Sequence, residues 1–163
     1  MDRMHENHPM FLAYVAGIVD GEGSIGIYEN TTTRRRGKSQ FYMQVSITNT
    51  DKTLLDMIQR RWPSYLPDAP RKRPSPRHKT VWRWRVASRK ALSFLRDIRP
   101  YLFMKADRAD LAIKFQTEIM RQSCVGNRTG KCGGQPLSDE EHALRLTYSN
   151  AIKEANQRGR KSA

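Results

Sequence analysis

The sequence predicts an α+β fold, with a four-stranded antiparallel saddle sheet covered by helices on one face. The order is α-β-β-α-β-β-α, with an extra C-terminal helix. Three observations lead there. Two segments of apolar/polar alternation flank a short basic tip containing a glycine, the pattern of a hairpin. A third alternating segment, richer in tryptophan, follows a Pro-rich stretch. The intervening segments carry apolar residues at helical spacing behind capping residues. Strands with one oily and one polar face need a packing layer on the oily side only, so the other side is left open.

The first helix is expected over about 10–20, with Pro9 suited to its start and the glycines at 21 and 23 to its end. A strand over 24–32 points Ile25 and Ile27 one way and Gly26, Tyr28 and Asn30 the other. Residues 34–38 read as the hairpin tip, and the returning strand, 40–48, alternates cleanly. Its apolar face is Phe41, Met43, Val45 and Ile47; its polar face is Gln40, Tyr42, Gln44, Ser46 and Thr48. Asp51 starts an amphipathic helix that stops near Trp62-Pro63. The later part of the Pro-rich stretch 63–76 is read as an edge strand. The next strand faces Trp82, Trp84 and Val86 inward and Val81, Arg83 and Arg85 outward. Ser88 is expected to cap a helix carrying Ala91, Leu92, Leu95 and Ile98, and a longer helix spans about 104–122. After a polar, Gly-rich loop at 123–137, Ser138 and Glu141 form a capping-box pattern. One domain therefore covers 1–155, and 156–163 is a basic tail expected to fray.

Of 163 residues, 30 are Lys or Arg and 16 are Asp or Glu, a net charge of +14. The excess sits in two windows without an acid. Between Glu29 and Asp51 stand Arg34, Arg35, Arg36 and Lys38. Between Asp68 and Asp97 stand Arg71, Lys72, Arg73, Arg77, Lys79, Arg83, Arg85, Arg89, Lys90 and Arg96. Elsewhere the charges balance, so two segments build a surface for a polyanion. No apolar run approaches the ~20 residues of a membrane helix. Two cysteines, Cys124 and Cys132, make no disulfide scaffold and match no zinc spacing. No targeting signal is found, and an intracellular protein with reduced thiols is expected. P-loop, G-x-G-x-x-G, H-E-x-x-H and G-x-S-x-G motifs are absent.

The informative segment is Ala13-Tyr14-Val15-Ala16-Gly17-Ile18-Val19-Asp20-Gly21-Glu22-Gly23-Ser24. Ala13, Gly17 and Gly21 recur every four residues, a stripe with little side-chain bulk that lets another backbone approach closely. The stripe serves either a helix packed tightly inside its own domain or a contact between two copies. Asp20 and Glu22 stand where it ends and the first strand begins. In a symmetric pair the two Glu22 carboxylates converge, which is tolerable with divalent cations between them.

The stretch Val15-Ala16-Gly17-Ile18-Val19-Asp20-Gly21-Glu22-Gly23 resembles the signature of the LAGLIDADG homing endonucleases. Ser46-Ile47-Thr48-Asn49-Thr50-Asp51-Lys52 is similar to the end of that family's second strand. Arg99-Pro100-Tyr101-Leu102-Phe103-Met104-Lys105 is similar to its helix start with a lysine, and 136–141 to its C-terminal segments. The resemblance covers about 10–122, and a single motif resembles the homodimeric branch. It implies metal binding by Glu22 and the Gly21 carbonyl. It also implies a water-orienting Asn49, a charge-supporting Lys105, and an Asp20 that is usually structural; these four side chains form the expected catalytic set.

The implied activity is a Mg²⁺-dependent (or Mn²⁺- or Ca²⁺-binding), site-specific double-strand DNA endonuclease leaving short 3′ overhangs. It would act as a homodimer through Ala13, Gly17 and Gly21. A nine-residue strand spans about 30 Å, or about nine base pairs. Two arms therefore cover a pseudo-palindrome of roughly twenty. DNA contacts are expected from Tyr28, Asn30, Gln40, Tyr42, Gln44 and Ser46, and from Arg83 and Arg85 on the same face. The basic residues Arg34, Arg35, Arg36, Lys38, Arg71, Arg73, Arg77 and Lys79 complete the expected DNA-binding set. The alternatives are a non-cleaving RNA-splicing maturase or DNA-binding regulator of the same fold, and an unrelated basic RNA-binding domain. RNA binding leaves the stripe ending in Asp20 and Glu22 without a use.

Overall fold

A computed structural model describes residues 8–30, 40–64, 79–119 and 137–158. Pro9 opens helix α1 (Pro9–Glu22), and the His8 ring accepts the Met10 amide. The helix runs two residues past its expected end, because the steric break falls at Gly23. A Cβ there would lie 2.7 Å from both the Cα and the carbonyl oxygen of Val19. Only glycine lets the chain leave the helix that closely.

Strand β1 (Gly23–Asn30) pairs antiparallel with β2 (Gln40–Asn49), from Gly23 opposite Ile47 to Asn30 opposite Gln40. β3 (Trp82–Ala87) pairs with the other side of β2, from Gln44 opposite Ala87 to Asn49 opposite Trp82. Among the described residues the sheet therefore has three strands in the order β1-β2-β3, and not the four expected. The stretch assigned to the fourth falls largely outside the described residues, which resume at Lys79 without strand pairing before Trp82.

Helix α2 (Lys52–Arg61) starts at Asp51, whose carboxylate accepts the Thr53 and Leu54 amides. Helix α3 (Ser88–Ile98) corrects a second expectation. Ser88 makes no capping bond; it is the first helical residue and holds a φ of 50°. β3 leads into α3 with no connecting residue, so Ser88 itself takes the left-handed turn that L-residues disfavour.

A 3₁₀ turn (Arg99–Tyr101) leads to α4 (Ala106–Lys114), which widens into a π turn over Phe115–Ile119. The last helix, α5 (Asp139–Arg158), opens with the expected capping box. The Glu141 amide donates to Ser138 Oγ, and the Ser138 amide to Glu141 Oε2.

α5 lies along the outer strand, β1. His142 meets Glu29 at 3.2 Å, Ser149 Oγ donates to the Ile27 carbonyl at 2.8 Å, and Asn156 Nδ2 to the Ile25 carbonyl at 3.2 Å. Side chains seven apart on the helix thus meet residues two apart on the strand, occupying carbonyls that an open edge would present. The helix continues to Arg158, through positions expected to fray.

Among the described residues, helices cover one face of the sheet, as the alternation required. Ile25, Ile27, Met43, Val45, Ile47, Trp84 and Val86 from the strands meet Val15, Ala16 and Val19 of α1 and Phe94, Leu95 and Ile98 of α3. The Phe94 ring lies 4.8 Å from Trp62, edge-on, and 4.9 Å from Trp84. Burial of such a side chain stabilises by about 1.5–3 kcal/mol.

Candidate functional site

At the end of α1 two segments grip each other. Asp20 accepts the Phe103 amide at 2.8 Å and the Lys105 amide at 2.9 Å, one on each oxygen. The Lys105 ammonium donates to the carbonyls of Val19, Asp20 and Gly23 at 2.7–2.8 Å. Burial holds Lys105 below the ordinary lysine pKa, helped by Arg108 and opposed by Asp20. Asp20 and Lys105, both expected in the catalytic set, are therefore engaged with backbone.

Between these contacts the chain presents Gly21 and Glu22, both exposed. Asn49, at the end of β2, donates from Nδ2 to Glu22 Oε2 at 2.5 Å, while its Oδ1 accepts the Asp51 amide at 2.8 Å. The amide is held on both sides, so Asn49 orients the Glu22 carboxylate. Asp20, Glu22, Asn49 and Lys105, separated by up to 85 positions in sequence, meet at one corner.

The open face of the sheet starts at that corner. The register aligns its side chains in rows: Thr48 with Arg83, then Ser24, Ser46 and Arg85, then Gly26, Gln44 and Ala87, then Tyr28 with Tyr42, then Asn30 with Gln40. The Tyr28 and Tyr42 rings lie 5.8 Å apart. No row holds a carboxylate among these strand residues; Glu29 points to the helix side, toward His142. Lys79 is exposed just before β3. Arg34, Arg35, Arg36, Lys38, Arg71, Arg73 and Arg77 lie outside the described residues, as do Cys124 and Cys132.

The small-residue stripe faces outward. Ala13, Gly17 and Gly21 are exposed, and a Cβ at Gly17 or Gly21 would meet nothing within 4 Å. Among the described residues, the stripe therefore serves no packing within the chain. Met10 and Tyr14 on the same side of α1 are 73% and 56% exposed.

No protein-family model matches the chain, and no curated protein sequence does. Solved structures do. The homing endonuclease I-CvuI, in complex with its target in the presence of Ca, superposes with a TM-score of 0.66 at 17% identity, over 94% of this chain and 85% of that one. The archaeal intron-encoded homing endonuclease I-Vdi141I, complexed with DNA, gives 0.63 at 13% identity, over 90% and 84%. The LAGLIDADG homing endonuclease I-GzeII, in complex with a DNA target, gives 0.59 at 20% identity, over 87% and 43%.

This is the LAGLIDADG homing-endonuclease fold.

Within the LAGLIDADG fold, the Glu22 carboxylate and the Gly21 carbonyl at this corner are oxygen groups, the donor type that a hard divalent cation takes. Among the described residues no three His, Cys, Asp or Glu side chains cluster as a metal cage. Of the two carboxylates in the Asp20-Gly21-Glu22 segment, Glu22 is the exposed one, and a complete oxygen shell needs further ligands.

Sequence reasoning missed the tip of the 103–105 turn, where Phe103 and Met104 are 90% and 73% exposed beside the end of α1. The signal was available: Tyr101, Leu102, Phe103 and Met104 stand in a row between Pro100 and the next helix, more apolar side chains than one turn can bury. It also missed Thr48 as the row partner of Arg83, which only the register reveals.

Proposed function

We propose that the protein is a homing endonuclease that cuts double-stranded DNA site-specifically as a homodimer. The observation that carries this reading is the place of Glu22. It is an exposed carboxylate where an outward-facing stripe of small residues ends and a carboxylate-free polar sheet face begins. A helix with apolar or small residues on both sides needs cover on both, and its own domain covers one. A second copy of α1 crossing at Gly17 and Gly21 supplies the other cover and brings a second Glu22 to the same place.

Glu22 and the Gly21 carbonyl would hold Mg²⁺, which when bound would activate water and stabilise the leaving oxygen. Asn49 fixes the rotamer of Glu22. Asp20 and Lys105 fix the backbone on either side of it. The open faces of two protomers lie along the major groove on both sides of the cut and span roughly twenty base pairs. Convergence of the two carboxylates favours cuts across one minor groove, leaving short 3′ overhangs.

The test is cleavage of supercoiled plasmids carrying the DNA that flanks the gene, with Mg²⁺ and with EDTA, followed by sequencing of the ends. Linear product with 3′ overhangs in Mg²⁺ alone is expected. Specific binding without any cutting would instead support a DNA-binding regulator.

A further inference from the structure

The strand register orders the side chains along the open face. We infer that this is the order of base contacts within each half-site, counted outward from the cut: Arg83, Arg85, Gln44, then the Tyr28–Tyr42 pair. The inference rests on the endonuclease reading and goes beyond it by naming the bases.

Arg83 belongs to the row beside Asn49, at the Glu22 end of the sheet, and Arg85 to the next row outward. Gln44 follows, and the tyrosines are one row further. Successive rows stand about 6.7 Å apart along a strand, or about two base pairs at 3.4 Å each.

The neighbours in each row decide which group reads. Arg83 is opposite Thr48, and Arg85 is opposite Ser46. These short hydroxyl side chains leave a guanidinium as the longest reach in either row. Arginine matches the O6 and N7 acceptors of guanine in a bidentate pair. Gln44 lies between Gly26, over which the Tyr28 ring folds, and Ala87, so its amide is the one hydrogen-bonding side chain that this row itself contributes. Its amide matches adenine N6 and N7.

The Tyr28 ring folds back over Gly26, with phenol atoms 2.6 Å from where a Cβ would stand. With Tyr42 it forms an apolar wall suited to a thymine methyl. Gln44 and the tyrosines carry no charge, so phosphate attraction alone gives them no function on this face. The half-site therefore reads guanine, guanine, adenine and thymine at intervals of about two base pairs, each on either strand.

The test is selection from a pool of double-stranded oligonucleotides randomised over about twenty-four base pairs, bound in Ca²⁺, recovered and sequenced. The wild type is compared with Arg83→Ala, Arg85→Ala, Arg85→Lys and Gln44→Ala. The wild type should enrich a two-fold symmetric sequence. Each alanine variant should lose preference at one position only, by roughly five- to 150-fold for the matched base. The affected positions should move outward in the order 83, 85, 44. Arg85→Lys should keep overall affinity and lose the guanine preference at its position, which separates reading from charge. Loss at positions out of that order, or the same uniform flattening in all variants, overturns the inference and leaves the endonuclease reading standing. A wild type that enriches no sequence overturns both.

Discussion

Asp20 and Lys105 cap each other's backbone. The carboxylate takes the amides of Phe103 and Lys105, and the ammonium takes the carbonyls of Val19, Asp20 and Gly23. Each charge sits where helix dipoles favour it, the cation at the C-terminal end of α1 and the carboxylate at the N-terminal end of α4. What lies between, Gly21 and Glu22, is thereby fixed in direction without either charged group touching Glu22's side chain.

On the proposed endonuclease reading, Lys105 would act on cleavage through geometry. Lys105→Met should lower stability by at least about 1–3 kcal/mol, since half-buried carbonyls lose their donor. It should also slow cutting far more than it weakens DNA binding. Lys105→Arg should recover part of both. Urea unfolding, paired with binding and single-turnover cleavage, checks this. Equal losses of binding and cutting would make Lys105 an ordinary phosphate contact.

Much of this corner was legible in the sequence because its parts are local. The Asp20-Gly21-Glu22-Gly23 turn, the Asp51 cap and the alternating strands each declare themselves within ten residues. What was not legible depended on tertiary contact. Asp20 was expected as the usually structural member of the catalytic set, but its partners, amides 83 and 85 positions away, could not be read from the sequence. Ser88 has the chemistry of a cap, yet the direct passage from β3 into α3 puts it at φ 50° instead. Gly21 and Gly23 were equal candidates for the helix end, and only the Val19 backbone under Gly23 distinguishes them.

The stripe on α1 gives a clean separation of folding from assembly. A Cβ at Gly17 meets nothing within 4 Å among the described residues, and leucine favours a helix over glycine by roughly 0.5–1 kcal/mol. Gly17→Leu should therefore melt no lower than the wild type while losing the dimer. Sedimentation velocity and a thermal melt on one sample check both halves. A persistent dimer would remove α1 from the interface.

Arg99 and Asp110 form a two-pronged ion pair, Nε and Nη2 each 2.6 Å from a carboxylate oxygen. The hydrogen bond from Arg99 holds the Asp110 carboxyl below its ordinary 3.8, with burial opposing and the charge of Arg99 adding. A depressed carboxyl pKa stabilises the fold above the unfolded value, and that contribution is lost as pH falls below about 4. Wild type and Asp110→Asn should therefore differ in stability at neutral pH and converge as pH falls through that window. Urea midpoints between pH 7 and 3 read the difference. A constant gap across the range would deny the ion pair its linkage.

The decisive residue is Glu22. Its carboxylate is exposed, oriented by Asn49 Nδ2, and placed at the end of the stripe where a second copy would bring its equal. Glu22→Gln keeps the length of the side chain and removes the charge. Its amide can still offer an oxygen to Asn49, so the corner should remain folded. It loses the anionic ligand that a hard cation needs. Cutting should fall below detection in Mg²⁺. Affinity for the target should stay equal or tighten, because a negative charge facing phosphates, and facing its own symmetry mate, has gone. Binding is measured by titration in Ca²⁺ and cutting in Mg²⁺, on the same DNA. Ca²⁺ affinity of the protein–DNA complex, read by calorimetry, should drop in parallel with cutting. Wild-type cutting by Glu22→Gln would refute the metal assignment. Loss of binding together with cutting would return Glu22 to a structural role at the end of α1.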